Sequence, residues 1–285
     1  MEIVAPNEWI ELARSLVLRK GTILLLGSTD TGKSTFTRYL AETLLHCGTT
    51  VALVDADVGQ SALGLPGTVS FAAFRSVENV KAFRCESFSF LGSVSPIPVL
   101  SFLIKETCRF VSRGRTSSEI TLIDTTGLVD DEPGRRLKIA KIKAIRPDRI
   151  IAIERSGELE HILQNVGDID VVRLKPSPMA KFRRRQSRIR YREAKLAKYF
   201  RDADEIILST HGLEFFFHGR TVGHEDVRIR PGAVAGLNRD VDSDGLGIIT
   251  DLDHDSITLK TPLRSLRGIR RVMLGSITFD SFAAD

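Results

Sequence analysis

Apolar residues along this chain fall into two rhythms. Trp9, Leu12, Ala13, Leu16 and Val17 recur at the spacing of one helix face, which predicts an amphipathic helix over 7–18. Phe36, Tyr39, Leu40, Leu44 and Leu45 repeat that pattern over 33–46, and Gly48 supplies the stop. Residues 96–112 and 133–145 read as two further helices. Between these stretches stand short continuous apolar runs at 22–26, 51–54, 120–123 and 149–153. The last three end in Asp55, Asp124 and Glu154. Continuous rather than alternating runs, separated by helices, predict a mainly parallel sheet covered on both faces.

After about residue 203 the rhythm changes. Short β-rich runs at 205–208, 213–217, 247–250, 257–259 and 268–273 are separated by Gly, Asp, Asn and Pro, which predicts a small antiparallel module. The chain therefore divides into an α/β domain, residues 1–202, and a C-terminal β-rich domain, residues 203–285. No repeat of 20–50 residues is visible, which excludes a solenoid or propeller.

Composition adds exclusions more than assignments. No apolar run approaches the roughly 20 residues of a membrane span. The N-terminus carries Glu2 and Glu8 and no basic start, unlike a signal peptide. Cys47, Cys85 and Cys108 are odd in number and lack metal spacing, so they read as reduced, buried thiols of a cytoplasmic protein. The net charge of +5 hides a strong asymmetry. Residues 173–201 hold twelve Lys or Arg and one acid, Glu193, so they carry +11 and leave −6 for the rest. That concentration points to a local anionic partner.

The chemistry starts at Gly27-Ser28-Thr29-Asp30-Thr31-Gly32-Lys33-Ser34, followed by Thr35. A buried strand before the glycines and an amphipathic helix after them are the context a phosphate cradle requires. Backbone N–H groups wrap the phosphates, Lys33 adds a point charge, and Ser34 offers a hydroxyl to Mg²⁺. Asp55 and Asp57, in Asp55-Ala56-Asp57-Val58-Gly59-Gln60, end the second strand, where α/β sheets place ligands. One of this pair could face Mg²⁺ and one could accept a hydroxyl proton beside the γ-phosphate. The plainer alternative is a pair of acids capping a turn. Asp124-Thr125-Thr126-Gly127 closes the third strand and suits metal binding through Asp124, with Gly127 permitting close approach to the γ-phosphate. In Gly92-Ser93-Val94-Ser95-Pro96, Ser95 reads as a helix N-cap with Pro96 at the first helical position. Pro176 and Pro178 precede a basic helix expected over about 179–201. Arg184, Arg188 and Arg192 then share one face at i, i+4 spacing. Stacked like charges need an anion, and the arginine fork suits phosphate oxygens.

Together these motifs resemble the polynucleotide 5′-hydroxyl kinase family of RNA-processing P-loop enzymes. The resemblance rests on residues 29–34, 55–60, 92–96 and 125–127, and on the Arg-x-x-x-Arg-Glu segment ending in Tyr199-Phe200. It extends to 231–237, beginning at Pro231, and to 245–249. It implies transfer of the ATP γ-phosphate, with Mg²⁺, to the 5′-hydroxyl end of RNA or DNA. Carried over, Lys33 neutralises phosphates and Ser34 ligates Mg²⁺. Asp57, with Asp55 close behind, orients or deprotonates the hydroxyl, and Gln60 positions water, metal or nucleotide. Thr126 and Gly127 clasp the phosphates, and Arg188 and Arg192 close as a lid. A P-loop beginning at residue 27 implies a minimal kinase without the extra N-terminal domain of eukaryotic members. Leu128 stands where several relatives have an aromatic, and Asp124 where some have Asn. Three rivals remain: a non-catalytic ATP-binding scaffold, a regulatory P-loop NTPase, and a small-metabolite kinase.

Overall fold

The computed structural model describes residues 5–180, 182–223, 230 and 232–279. Pro231 therefore lies outside the described residues. Elements follow in the order α1 (Asn7–Leu18), β1 (Gly21–Leu26), α2 (Lys33–His46), β2 (Val51–Ala56), β3 (Thr68–Phe74), α3 (Val77–Ala82) and β4 (Ser87–Phe90). Next come α4 (Leu100–Ser117), β5 (Ile120–Thr125), α5 (Glu132–Ile145), β6 (Arg149–Ile153), α6 (Glu160–Leu163), β7 (Asp170–Leu174) and α7 (Arg185–Tyr199). The rest is strand: β8 (Asp204–Ser209), β9 (Glu214–Phe217), β10 (Arg220–Val222), β11 (Ala233–Asn238), β12 (Gly245–Leu252), β13 (Ser256–Thr261) and β14 (Arg271–Leu274).

The first sheet runs β4-β3-β2-β5-β1-β6-β7. Strands β2, β5, β1, β6 and β7 pair in parallel, and β3 and β4 add an antiparallel edge. Side chains of a strand alternate between faces, so β1 feeds two cores. Ile23 and Leu25 pack with Trp9, Leu16, Phe36 and Leu40 of α1 and α2. Leu24 and Leu26 pack with Leu103, Phe110, Leu137 and Ile142 of α4 and α5. Burial on both faces is why these strands read as unbroken apolar runs. At roughly 25 cal/mol per Å², such burial is the main stabilising contribution to the layer.

The structure corrects several local expectations. Helix α4 starts at Leu100 rather than at Pro96, because Pro98 disfavours helical backbone at Ile97. Ser95 is no N-cap; its N–H and carbonyl both bond the Ser93 hydroxyl. Helix α7 starts at Arg185, with Arg184 extended at its N-cap, so Arg184 does not share the helical row of Arg188 and Arg192. The three thiols are free but not buried: Cys47 is exposed at the end of α2, and Cys85 and Cys108 are half-buried. Among the described residues no helix is long and apolar enough to cross a membrane.

The second sheet runs β10-β9-β14-β11-β12-β13-β8 and is not wholly antiparallel, since β14 and β9 pair in parallel. It is joined to the first. Phe90, Leu196, Phe200, Val234, Leu246, Ile248 and Met273 form one apolar cluster, and the Tyr199 hydroxyl accepts a hydrogen bond from Leu246 N at 2.9 Å. At the seam Gly92 and Gly275 meet so closely that a Cβ on Gly275 would lie 2.1 Å from the Gly92 carbonyl oxygen. Only glycine fits on either side. The second sheet is thus packed against the C-terminal end of α7.

Candidate active site

The loop between β1 and α2 wraps its own lysine. Lys33 Nζ donates to the carbonyls of Gly27 and Ser28, both at 2.8 Å, and the Thr31 hydroxyl donates to Ser28 O at 3.0 Å. Burial lowers the Lys33 pKa, and the nearby carboxylates of Asp124, Asp57 and Asp30 oppose that shift. Gly32 forms the N-cap of α2, and Thr35 is exposed on its first turn. The positive end of the helix and the buried lysine thus belong to one loop, an arrangement suited to an anion.

Parallel register sets the acids level. Asp55 pairs with Asp124 across β2 and β5, and Ala56 with Thr125. Their carboxylates nevertheless have different surroundings. Asp55 Oδ2 accepts from Ser61 Oγ, Ala62 N and Leu63 N at 2.7–2.9 Å, and Oδ1 accepts from Asp57 N at 3.1 Å. It is fully buried, and desolvation raises its pKa despite those donors. Asp55, expected among the metal ligands and catalytic acids, has both carboxylate oxygens engaged in holding the loop that follows β2. Asp57 is only half-buried, and its Oδ1 accepts from Gly59 N and Gln60 N at 3.0 Å each.

Asp124 is the unusual acid. Among the described residues its Oδ1 is buried without a hydrogen-bond partner, and burial, with Asp55 adding to it, pushes its pKa up to about 7. Lys33 and a hydrogen bond with the Ser34 side chain pull in the other direction. Beyond it, the Thr125 hydroxyl donates to Leu25 O at 2.8 Å. Gly127 lies against the P-loop so closely that a Cβ there would come within 2.6 Å of Thr29 backbone atoms.

Helix α7 crosses above these residues and is bonded at both ends. At its start, Asp30 accepts Arg183 N at 2.9 Å and Arg188 Nη2 at 2.7 Å. Further along, Gln60 Nε2 donates to Arg188 O, Tyr191 OH to Ser61 O, and Lys195 Nζ to the carbonyls of Ser61, Ala62 and Gly64. Arg192 is half-buried, and burial lowers its pKa, with Arg185 and Arg188 adding to the effect against Glu193.

Several contributors were not read from the sequence. Arg155, just beyond β6, donates to Ser28 Oγ at 3.1 Å and Asp30 O at 3.2 Å. Lys138 on α5 is fully buried and donates to the Thr125 hydroxyl at 2.8 Å and to the Thr126 carbonyl and hydroxyl. Burial, then the charges of Lys141 and Lys33, hold its pKa well below the usual lysine range. A signal for it existed: Lys138 and Lys141 sit on the buried face of α5 with Leu137, Ile142 and Ile145.

Residues 27–202, more than half the chain, match the P-loop family of the mRNA cleavage and polyadenylation factor CLP1. The chain belongs to this family. Curated relatives include the polyribonucleotide 5′-hydroxyl-kinase of Pyrococcus abyssi, 35% identical over 72% of this chain and 59% of its own length. The enzyme of that name from Methanocaldococcus jannaschii is 37% identical over 64% and 50%. A CLP1 homologue of Brugia malayi is 28% identical over 73% and 52%. The chain thus spans between half and three fifths of the length of these relatives. A solved Clp1p–Pcf11p complex covers 96% of this chain and 80% of its own chain at a TM-score of 0.74 and 11% identity, which shows a shared fold. The α/β P-loop architecture with a second, C-terminal sheet is therefore that of the CLP1 group.

Proposed function

We propose that this CLP1-family chain is an ATP-dependent polynucleotide 5′-hydroxyl kinase acting on RNA ends. The observation that carries the reading is the convergence of Lys33, Asp57 and Asp124 beneath a helix that brings Arg188 to the P-loop. The names of the archaeal relatives support RNA as the acceptor.

ATP is the donor substrate, its phosphates taken by residues 27–35 and approached by Gly127. The Asp124 carboxylate, hydrogen-bonded to the Ser34 side chain and with Oδ1 unpaired among the described residues, fits a hard cation with oxygen ligands, so Ser34 and Asp124 would hold Mg²⁺. When bound, the ion neutralises charge on the β- and γ-phosphates. Asp57, the more accessible carboxylate, accepts the proton of the attacking 5′-hydroxyl. Lys33, Arg188 and Arg192 stabilise charge on the transferring group, the largest source of rate enhancement in phosphoryl transfer. Asp55, Gln60, Tyr191 and Lys195 keep the Asp57 loop and α7 in register. The free thiols suit a reducing, cytoplasmic setting.

The test is incubation with ATP and matched RNA and DNA oligonucleotides bearing 5′-hydroxyl ends, single- and double-stranded. Phosphorylated ends, formed faster on RNA, are expected. ATP hydrolysis that ignores the oligonucleotide would favour a regulatory NTPase, and ATP retention without turnover a scaffold.

A further inference from the structure

The arrangement of acids around β1 gives the bound nucleotide a direction. Asp57 and Asp124 lie at the ends of β2 and β5, on one side of β1, so a γ-phosphate in position for transfer lies on that side. A triphosphate lying along the P-loop then directs its nucleoside the other way, toward the segments that follow β6 and β7.

Those two segments differ in chemistry. After β6, polar groups are already engaged: Glu158 accepts from the backbone N–H groups of Arg155 and Ser156, and Glu154 pairs with Arg173. After β7, two large apolar side chains stand in solvent, Met179 at 69% exposure and Phe182 at 80%. Single exposed apolar residues are ordinary. Here, however, the chain passes beside the P-loop just before Phe182 and is bonded to it just after. Ala180 Cβ lies 3.9 Å from where a Cβ on Gly32 would stand, and Arg183 N donates to Asp30 at 2.9 Å. Exposed Arg183, Arg184 and Arg185 follow directly.

We propose that Phe182 is the platform on which the purine of the donor nucleotide stacks, with Met179 on the same segment adding apolar surface. The inference rests on the reading of residues 27–34 as the ATP site with its γ-phosphate toward Asp57. Stacking on an aromatic face tolerates any base, so this subsite would not by itself select ATP over GTP.

The experiment is equilibrium binding without acceptor, comparing ATP with inorganic tripolyphosphate on the wild-type chain, Phe182→Ala and Phe182→Trp. Loss of one stacked base corresponds to roughly a five- to hundred-fold loss of affinity. Phe182→Ala is expected to weaken ATP and GTP binding within that range and leave tripolyphosphate unchanged, while Phe182→Trp retains both nucleotides. Unchanged ATP affinity in Phe182→Ala would overturn the inference. So would an equal loss for ATP and tripolyphosphate, which would make the segment a prop for the P-loop. A loss confined to the KM of the oligonucleotide, absent with a 5′-abasic end, would move the aromatic to the acceptor and equally overturn it. Failure of the wild type to bind either ligand would instead overturn the underlying assignment of the ATP site.

Discussion

Arg188 Nη2 lies 2.7 Å from Asp30 Oδ2, so α7 is joined to the P-loop by an ion pair at the site where phosphate is expected. Both partners are largely shielded, with side-chain exposures of 25% and 11%. The same carboxylate holds Arg183 N, so Asp30 fixes the entry to the helix as well as one of its arginines. Arg188→Ala should lower phosphoryl transfer by about a thousandfold or more, in line with an arginine that contacts the transition state. Arg188→Lys should recover little of it, because an ammonium lacks the planar fork. Single-turnover rates at saturating ATP check this; a near-normal rate in Arg188→Ala would remove the residue from the mechanism.

The two acids on the second strand should separate by phenotype. Asp57→Asn is expected to abolish transfer to the 5′-hydroxyl with ATP affinity and thermal midpoint close to wild type. Asp55→Asn puts an amide among donors that now meet two acceptor oxygens, and should cost about 2 kcal/mol or more in stability. Thermal unfolding measured beside turnover distinguishes them. Equal midpoints for the two variants would contradict the structural role of Asp55.

Lys138 places a buried amino group behind the clasp, and Lys138→Met would leave the Thr125 hydroxyl and Thr126 carbonyl without its donor. The expected result is a fall in kcat of about tenfold or more with a smaller change in the KM for ATP, because the clasp faces the transferring end of the nucleotide. A change confined to stability, with kcat unaltered, would show the lysine to be only a core residue.

The raised pKa of Asp124, about 7 against an ordinary 3.8, gives a signed pH effect. The folded protein holds this proton more tightly than the unfolded chain. The contribution of Asp124 to stability therefore declines as pH rises from about 4 to about 7 and is level above that. Buried lysines with lowered pKa values act in the opposite direction, so the wild type must be compared with Asp124→Asn. Thermal midpoints between pH 5 and 8, without nucleotide, should decline more, or rise less, with pH in the wild type than in the variant up to about 7. Parallel curves would contradict the assignment.

The sequence was informative where a strand was buried on both sides or a loop needed glycine. Strands β1, β5 and β6 and helix α2 were legible because unbroken apolar runs and 3.6-residue spacing leave few alternatives. Strands β3 and β4 were missed, since runs such as 87–90 are short and gain their partners only across the sheet. The start of α7 was misplaced because Asp30, 153 residues earlier, takes the Arg183 N–H, and Arg184 after it is extended. The same distance effect hid Arg155, whose partners Ser28 and Asp30 are remote in sequence. Lys195 was hidden differently: a lysine on a helix reads as solvent-facing until its carbonyl partners are seen.

The most direct test is transfer of label from γ-labelled ATP to a 5′-hydroxyl oligoribonucleotide by the wild type, Lys33→Ala and Asp57→Asn, with ATP binding measured in parallel. A kinase built as described gives 5′-labelled RNA with the wild type, a loss of orders of magnitude in both variants, and ATP binding retained by Asp57→Asn. Wild-type protein that binds ATP yet labels no RNA end across a range of pH and divalent metals would contradict it.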